Sequence, residues 1–300
     1  MDSLCGGKSC RLCPRECGAD RTRTVGYCGV SDTVRVSRVG LHLWEEPCLS
    51  YGKGSGTVFF AGCNLRCVFC QNHEISAGHA GKDIDVKTLA AEFLRLRDRG
   101  ASNINLVTPT HFADKIASAL DSVKSTLGIP VVYNCGGYEK EETLRMLAPY
   151  IDIFLPDFKY VSSDLSAKYS GAADYFTVAA KALETMYDIA GYAVFDEDEH
   201  MTRGVLTRHL VLPGAHRDSM ALLDYLASRY DPSRFAISLM SQYFPTAACS
   251  DIPPLNRRLT TLEYEKVTEH AEALGFTLGY TQDRRSAKEE YVPSFDYGKE

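Results

Sequence analysis

The run Ala61-Gly62-Cys63-Asn64-Leu65-Arg66-Cys67-Val68-Phe69-Cys70-Gln71-Asn72 follows directly on the apolar segment Val58-Phe59-Phe60. Three thiolates spaced C-x3-C-x2-C can ligate three irons of a cubane [4Fe–4S] cluster and leave the fourth iron without a protein ligand. An open iron is chemically useful because a small molecule can chelate it. The competing readings are a zinc site and buried free thiols, since a lone C-x-x-C serves several chemistries. Zinc wants a fourth protein ligand close by, and His73, just after Asn72, completes no recognisable zinc spacing. The iron–sulfur reading is therefore preferred.

Outward from this loop, strand-like and helix-like segments alternate. Short apolar runs rich in Val, Ile, Leu and Phe at 57–62, 104–108, 130–135, 151–157, 205–212 and 235–242 predict strands buried on both faces of a parallel sheet. Between them lie amphipathic stretches. Asp85 is an N-cap for a stripe of Val86, Leu89, Ala90, Phe93 and Leu96 that stops at Gly100. Ile116, Ala119, Leu120, Val123 and Leu127 mark a second helix ended by Gly128 and Pro130. Thr260-Thr261-Leu262-Glu263 reads as a capping box before Tyr264, Val267, Ala271 and Leu274. Six strands with helical crossovers give a parallel α/β sheet, doubly wound or curved into a partial barrel, and the pattern alone leaves that choice open. Residues 160–204 carry the acidic run Asp196-Glu197-Asp198-Glu199, a solvated excursion between the fourth and fifth strands. After Asp283 the chain is polar and without packing period, which fits a surface or disordered tail.

A net charge of −6 and a pI near 5.8 argue against a nucleic-acid surface as the main feature. No stretch is apolar for long enough to cross a bilayer, and the start, Met1 to Cys5, lacks an apolar signal region. Eleven cysteines in a chain of 300 residues without that signal suggest metal binding rather than disulfides. Cytoplasmic location and oxygen sensitivity are the expectation.

The first fifty residues are cysteine-rich and poor in apolar period. Cys10, Cys13, Cys17 and Cys28 form C-x2-C-x3-C-x10-C. Four thiols are enough to saturate either zinc or a second [4Fe–4S] cluster, and spacing does not decide between them. Pro14 and several glycines suit a loop wrapped around a metal. Cys5 and Cys48 are left over, and either could replace one of the four; unligated thiols are the plainer alternative.

The motif loop, with Phe69 just before its last cysteine, resembles the signature of the radical S-adenosylmethionine (SAM) superfamily. The likeness extends over most of the chain and is closest to the branch related to pyruvate formate-lyase activating enzymes. It is carried by Glu45-Glu46-Pro47, by Gly54 to Phe60, by Pro130-Val131-Val132-Tyr133-Asn134, by Ile151 to Lys159, and by Arg208-His209-Leu210-Val211-Leu212-Pro213-Gly214. The resemblance implies an α/β fold, a partial (β/α)6 barrel with a Cys-rich extension. It divides the chain into that extension (1–50), a radical SAM core (51–285) and a polar tail (286–300). It implies a [4Fe–4S] cluster on Cys63, Cys67 and Cys70 that cleaves SAM to a 5′-deoxyadenosyl radical, which abstracts hydrogen from a substrate. It also implies a one-electron donor such as flavodoxin or ferredoxin, with a glycyl-radical enzyme as one candidate partner. The SAM-binding residues implied are Phe69, Thr108, Asn134, Asp157, Lys159 and Arg208, the last three matching the family's Asp-x-Lys and Arg. One departure stands out: the family's Gly-Gly-Glu after the second strand is replaced by Val107-Thr108-Pro109-Thr110-His111, where Thr108 or Thr110 could supply part of the contact to the SAM amine. The alternative function is a non-catalytic iron–sulfur carrier or a zinc-binding interaction protein.

Asp157 and Lys159 alternate at a strand end, so both point the same way. Arg208 is a charge inside a strand, which calls for a buried anionic partner. His209, on the opposite face, reads as a packing residue, and His111 as a weaker polar candidate. Cys135 reads as a small buried thiol, with hydrogen-atom donation as its alternative. Ser241-Gln242-Tyr243 ends the sixth strand, where it either lines the substrate space or joins the core.

Overall fold

The computed structural model describes residues 9–76, 80–282 and Phe295. In chain order its elements are β1 (Val34–His42), β2 (Ser55–Phe60), α1 (His73–Ser76), β3 (Lys82–Ile84), α2 (Val86–Asp98), β4 (Ile104–Val107), α3 (Ala113–Leu127), β5 (Val131–Cys135), α4 (Glu141–Leu147), β6 (Ile153–Pro156), α5 (Ser163–Ser170), α6 (Tyr175–Ala190), β7 (Val194–Phe195), β8 (Met201–Leu210), α7 (His216–Arg229), β9 (Ala236–Met240), α8 (Thr261–Ala273) and β10 (Gly279–Thr281). The capping signals act as read. Asp85 accepts from the Thr88 amide, Gly128 ends α3 in the left-handed conformation, and Thr260 and Glu263 close a capping box.

The main sheet runs β10-β9-β8-β6-β5-β4-β2-β1-β3. From β2 to β10 every pairing on this path is parallel, whereas β1 is antiparallel to both neighbours. These parallel strands follow one another in chain order with no reversal. A doubly wound sheet reverses direction and takes ligands at the reversal, so the two architectures left open by the pattern are separated here. Side-chain alternation shows where the layers lie. Ile104 and Leu106, Val131 and Tyr133, Phe154, Val205, and Ile237 and Leu239 join the large core under the helices. Val132, Ile153, Leu155, Leu206 and Ala236 face the other way and, with Cys48, Leu49 and Met201, form a smaller apolar floor.

Above that floor, Phe59, Val107, Asn134, Asp157, Arg208 and Met240 line one cavity of about 370 Å³. These residues come from strands β2, β4, β5, β6, β8 and β9 or the positions just after them. Laid flat, β2 and β9 would stand roughly 24 Å apart at the usual strand spacing, too far for one small cavity to touch both. The sheet is therefore rolled, and the Gln71 side chain, after β2, donates to the Gln242 carbonyl, after β9, at 3.0 Å.

Several elements differ from expectation. The cysteine-rich first fifty residues contain a strand, β1, whose half-buried pattern mixes Val with Arg and Ser. β8 begins at Met201 rather than 205, because its first residues, Met201 to Arg203, pair with β7. β10 is an added parallel strand, and the acidic run forms the exposed turn between β7 and β8. No helix among the described residues is long and apolar enough to cross a membrane. The tail 286–300 lies outside the described residues except for Phe295, which packs edge-on against Phe59.

Candidate active site

The cysteine loop leaves β2 at Gly62 and is held by backbone bonds to elements far away in sequence. Arg66 and Val68 donate their amides to the Ser170 and Tyr169 carbonyls at the end of α5, at 3.2 and 2.9 Å. The Cys67 and Ser170 side chains lie 3.0 Å apart, and the Leu65 amide donates to the Cys63 sulfur at 3.4 Å. Cys67, Phe69 and Cys70 line the cavity. Cys63 is not among its lining residues, but its thiol stands close enough to Cys67 and Cys70 to feel both as charges. Burial pushes the Cys70 thiol up to about 11, with Cys67 adding to the rise, and Cys63 shifts in the same direction. Cys63 and Cys70 are poor acids in isolation, and metal ligation is the chemistry that stabilises such thiols as thiolates.

Across the cavity, Arg208 donates from Nε to Asp157 at 3.0 Å and from Nη2 to Asn134 at 2.6 Å, and its Nη1 lies 3.4 Å from Glu45. Lys159 donates to the other Asp157 oxygen at 2.6 Å. Burial pushes the Asp157 carboxyl up, but Lys159 and Arg208 together outweigh it and hold it below the usual carboxylate range. Burial also raises Glu45 and Glu46, and the Arg208 guanidinium only partly offsets this. Two cations and an ionised carboxylate thus meet at one side of the cavity, with the thiol loop at the other. That donor set suits a zwitterion carrying both a carboxylate and an amine.

The strand ends carrying these groups are pinned by Tyr175. Its fully buried hydroxyl lies 2.9 Å from both the Gly136 and Asp157 carbonyls and accepts from the Lys159 amide at 3.1 Å. Gly137 is required beside it. Its φ is +77°, and a Cβ there would lie 2.1 Å from the Asp157 carbonyl oxygen.

Of the residues singled out in the sequence, Cys67, Phe69, Cys70, Asn134, Asp157, Lys159 and Arg208 share the cavity. Thr108 is not among the cavity-lining residues; its left-handed backbone (φ +58°) follows β4 and its amide donates to the Asn134 carbonyl at 2.9 Å. Thr110 is turned away, donating to the buried Glu139 at 2.9 Å. His111 is fully buried, with Nε2 2.7 Å from the Ala61 carbonyl oxygen; burial and the Arg21 charge pull it down to about 3, so it is neutral packing. His209 packs as expected between the Phe158 carbonyl and Ser219. Cys135 is buried outside the cavity, Tyr243 is core, and Gln242 lines the cavity. Sequence reasoning missed Glu45, His42, Trp44 and Gln282 as lining residues; the Glu45-Glu46-Pro47 run, which carries part of the family likeness, was the only signal for the first.

At the amino end, Cys13 lies near enough to Cys10 and Cys28, and Cys28 near enough to Cys10 and Cys17, for charge on one to raise the next. Cys48 lies apart from them, in the apolar floor and bonded to Tyr280. Cys5 lies outside the described residues.

Comparison with known proteins places these features in context. The sequence model of the radical SAM superfamily matches residues 57–223. The uncharacterized protein MJ0674 of Methanocaldococcus jannaschii is 31% identical over 284 residues, covering 91% of this chain and 77% of that protein. A pyruvate formate-lyase-activating enzyme of Clostridium pasteurianum is 28% identical over 134 residues, 41% of this chain and 54% of the enzyme. Among solved structures, the fold is similar to spore photoproduct lyase, with a TM-score of 0.53 at 12% identity over 81% of this chain and 79% of that one. It is also similar to Streptococcus suis SuiB bound to its precursor peptide SuiA, with a TM-score of 0.50 at 16% identity over 74% of this chain and 46% of SuiB. The chain thus spans about half the length of SuiB and of the activating enzyme.

Proposed function

The chain belongs to the radical SAM superfamily, and from that premise we propose that its barrel cavity binds SAM beside a [4Fe–4S] cluster held by Cys63, Cys67 and Cys70. When bound, the cluster and SAM supply a 5′-deoxyadenosyl radical by one-electron cleavage of the sulfonium. The protein's part is binding, orientation and exclusion of water. Arg208 and Lys159 receive the SAM carboxylate, Asp157 accepts from its amine, and Asn134 fixes the guanidinium that does the binding. Phe69 and Met240 supply apolar wall, and the packed floor keeps bulk water from the reacting centre. The observation that carries this reading is the meeting of the thiol loop with the Asp157–Lys159–Arg208 network in one cavity at the carboxyl ends of the parallel strands. We treat residues 51–285 as the core that does this chemistry and 1–50 as an extension to it.

The substrate class we favour is a polypeptide, with the glycine of a glycyl-radical enzyme as the case to test first. The likeness to a pyruvate formate-lyase-activating enzyme supports it, as does the peptide bound to SuiB. Leu43 and Trp44 are also 59% and 61% exposed beside the cavity, apolar surface of the kind that receives a partner. Anaerobic reconstitution, addition of SAM and dithionite, and assay for 5′-deoxyadenosine test the chemistry. A variant with Cys63, Cys67 and Cys70 all replaced by Ala should form none. Product from that variant would remove the assignment.

A further inference from the structure

We propose that Cys10, Cys13, Cys17 and Cys28 hold a second iron–sulfur cluster, of the [4Fe–4S] type, through which the electron enters on its way to the Cys63–Cys67–Cys70 site. The relay rests on the reading just given for that site; the second cluster does not.

The loop that carries these cysteines is closed on itself. Cys10 donates its amide to the Ala19 carbonyl at 3.0 Å and accepts from the Gly18 amide at 3.1 Å, which brings Cys17 back beside it. A Cβ added at Gly26 would stand 3.4 Å from the Cys28 sulfur and 3.5 Å from the Cys17 sulfur, so both sulfurs flank one point. Zinc on these four thiols would be a closed, redox-inert structural site, whereas a cluster there can pass an electron to the neighbouring thiol loop.

A buried cation supplies the second, independent observation. Arg21 is 3% exposed, and a guanidinium cannot shed its proton. Its acceptors are the carbonyls of Val30, His111 and Ser31, at 3.4, 2.5 and 2.6 Å, and the Cys10 sulfur at 3.9 Å. Among the described residues no carboxylate lies within ion-pair distance of it. Asp114 is the one carboxylate whose charge acts on it, from beyond that distance. Metal-bound thiolates at Cys28 and Cys10 would act on the guanidinium more strongly than Asp114 does, and Cys10 is in direct contact with it; neutral thiols would not.

The two cysteine loops then touch directly. The Cys63 amide donates to the Cys28 carbonyl at 3.2 Å, and at Gly62, with φ +85°, a Cβ would lie 2.6 Å from that same oxygen. Arg15 donates to the Asn64 carbonyl at 2.8 Å, and Arg66 to the Tyr27 carbonyl at 3.2 Å. One hydrogen bond therefore links a residue of each thiol set, a short path for an electron. The outer end of the path is open: Cys10, Cys13 and Cys28 are buried, whereas Cys17 is exposed, with Arg11 and Arg23 exposed on the same loop. A low-potential protein donor with an acidic surface, of the flavodoxin or ferredoxin class, fits that edge. The donor is oxidised by one electron, the second cluster is reduced and reoxidised, and the SAM-site cluster is reduced by one; no bond or proton moves.

The first test uses the full chain with Cys63, Cys67 and Cys70 replaced by Ala, reconstituted anaerobically with iron and sulfide. About four iron and four sulfide per chain should remain, with a reduced-state paramagnetic signal that SAM does not shift. Zinc without sulfide, or folded protein free of metal, overturns the second cluster, and neither result depends on SAM chemistry. The relay is read in Cys17→Ala by stopped-flow reduction of the SAM-site cluster with reduced flavodoxin. The rate should fall about tenfold or more while SAM still shifts the paramagnetic signal; an unchanged rate overturns the relay. If Cys17→Ala does not fold, Arg11→Glu/Arg23→Glu serves instead. Reduction by flavodoxin should slow about tenfold while reduction by a small viologen does not, and equal effects on both overturn the docking edge.

Discussion

Replacing Arg208 by Met keeps most of the buried side-chain volume and removes only the guanidinium. Asp157 would still hold Lys159 at 2.6 Å, but Glu45 would lose the one cation within ion-pair distance of it among the described residues. Breaking a buried pair by removing one partner destabilises by about 3–5 kcal/mol. The Asp157 side chain keeps 20% exposure and its second cation, which places the expected loss at the lower end, about 3 kcal/mol. For a chain of this length that is a fall of about 5–10 °C in Tm, read by circular dichroism on the apoprotein. Adding Glu45→Gln removes the stranded carboxylate, so the double variant should recover about 1–2 kcal/mol. SAM affinity responds differently. Losing a desolvated charge-assisted contact costs about 1.5–3 kcal/mol, ten- to a hundredfold in Kd, and the double variant should not regain it. Arg208→Lys should restore part of the affinity, since an ammonium cannot reproduce the two-pronged geometry. A double variant no more stable than Arg208→Met, together with unchanged SAM affinity, would refute the network as described.

Burial holds the Glu139 carboxyl at about 7 against an ordinary 4.5, despite bonds from Thr110, Tyr133 and Cys135. The folded chain thus binds this proton more tightly than the unfolded one, so its stabilisation is complete below about pH 4.5 and falls away by about 3 kcal/mol as the pH rises through about 7. Denaturant titrations of Glu139→Gln between about pH 5 and pH 8 should show that slope removed. Gly137→Ala should lower Tm and SAM affinity together, because left-handed strain of about 1–2 kcal/mol adds to a collision with the Asp157 carbonyl. Thr260→Ala, at the capping box of α8, should cost about 1 kcal/mol and leave SAM affinity unchanged, a control for stability without site damage.

What the sequence discloses is set by how strongly each segment is buried. β4, β5 and β9 are buried along their whole length and announce themselves as apolar runs. β1 is half-buried and interrupts its apolar residues with Arg35, Ser37 and Arg38, so it looks irregular although it pairs with β2 from Val36 to His42. β10 is three residues long and mostly exposed, and is stabilised by β9 rather than by its own composition. Asp157, Lys159 and Arg208 are legible because charge at the end of an apolar strand is unusual. Glu45 is not, because it enters the cavity from an irregular segment whose direction depends on the whole rolled sheet. Tyr175 acts on backbone groups 16 to 39 positions away, and no local pattern encodes that.

The amino-terminal loop is fastened to parts of the chain that are synthesised much later. Arg21 bonds the carbonyl of residue 111, and Thr143 donates to the carbonyl of Leu12 at 2.7 Å, a separation of 131 residues. At about 5–20 residues per second on the ribosome, the loop waits roughly ten seconds for its seat to emerge. Throughout that interval its thiols are outside any fold, open to oxygen and to stray metal. Yield of correctly loaded protein should therefore depend on translation speed and on how reducing the cell is, before any step of catalysis has begun.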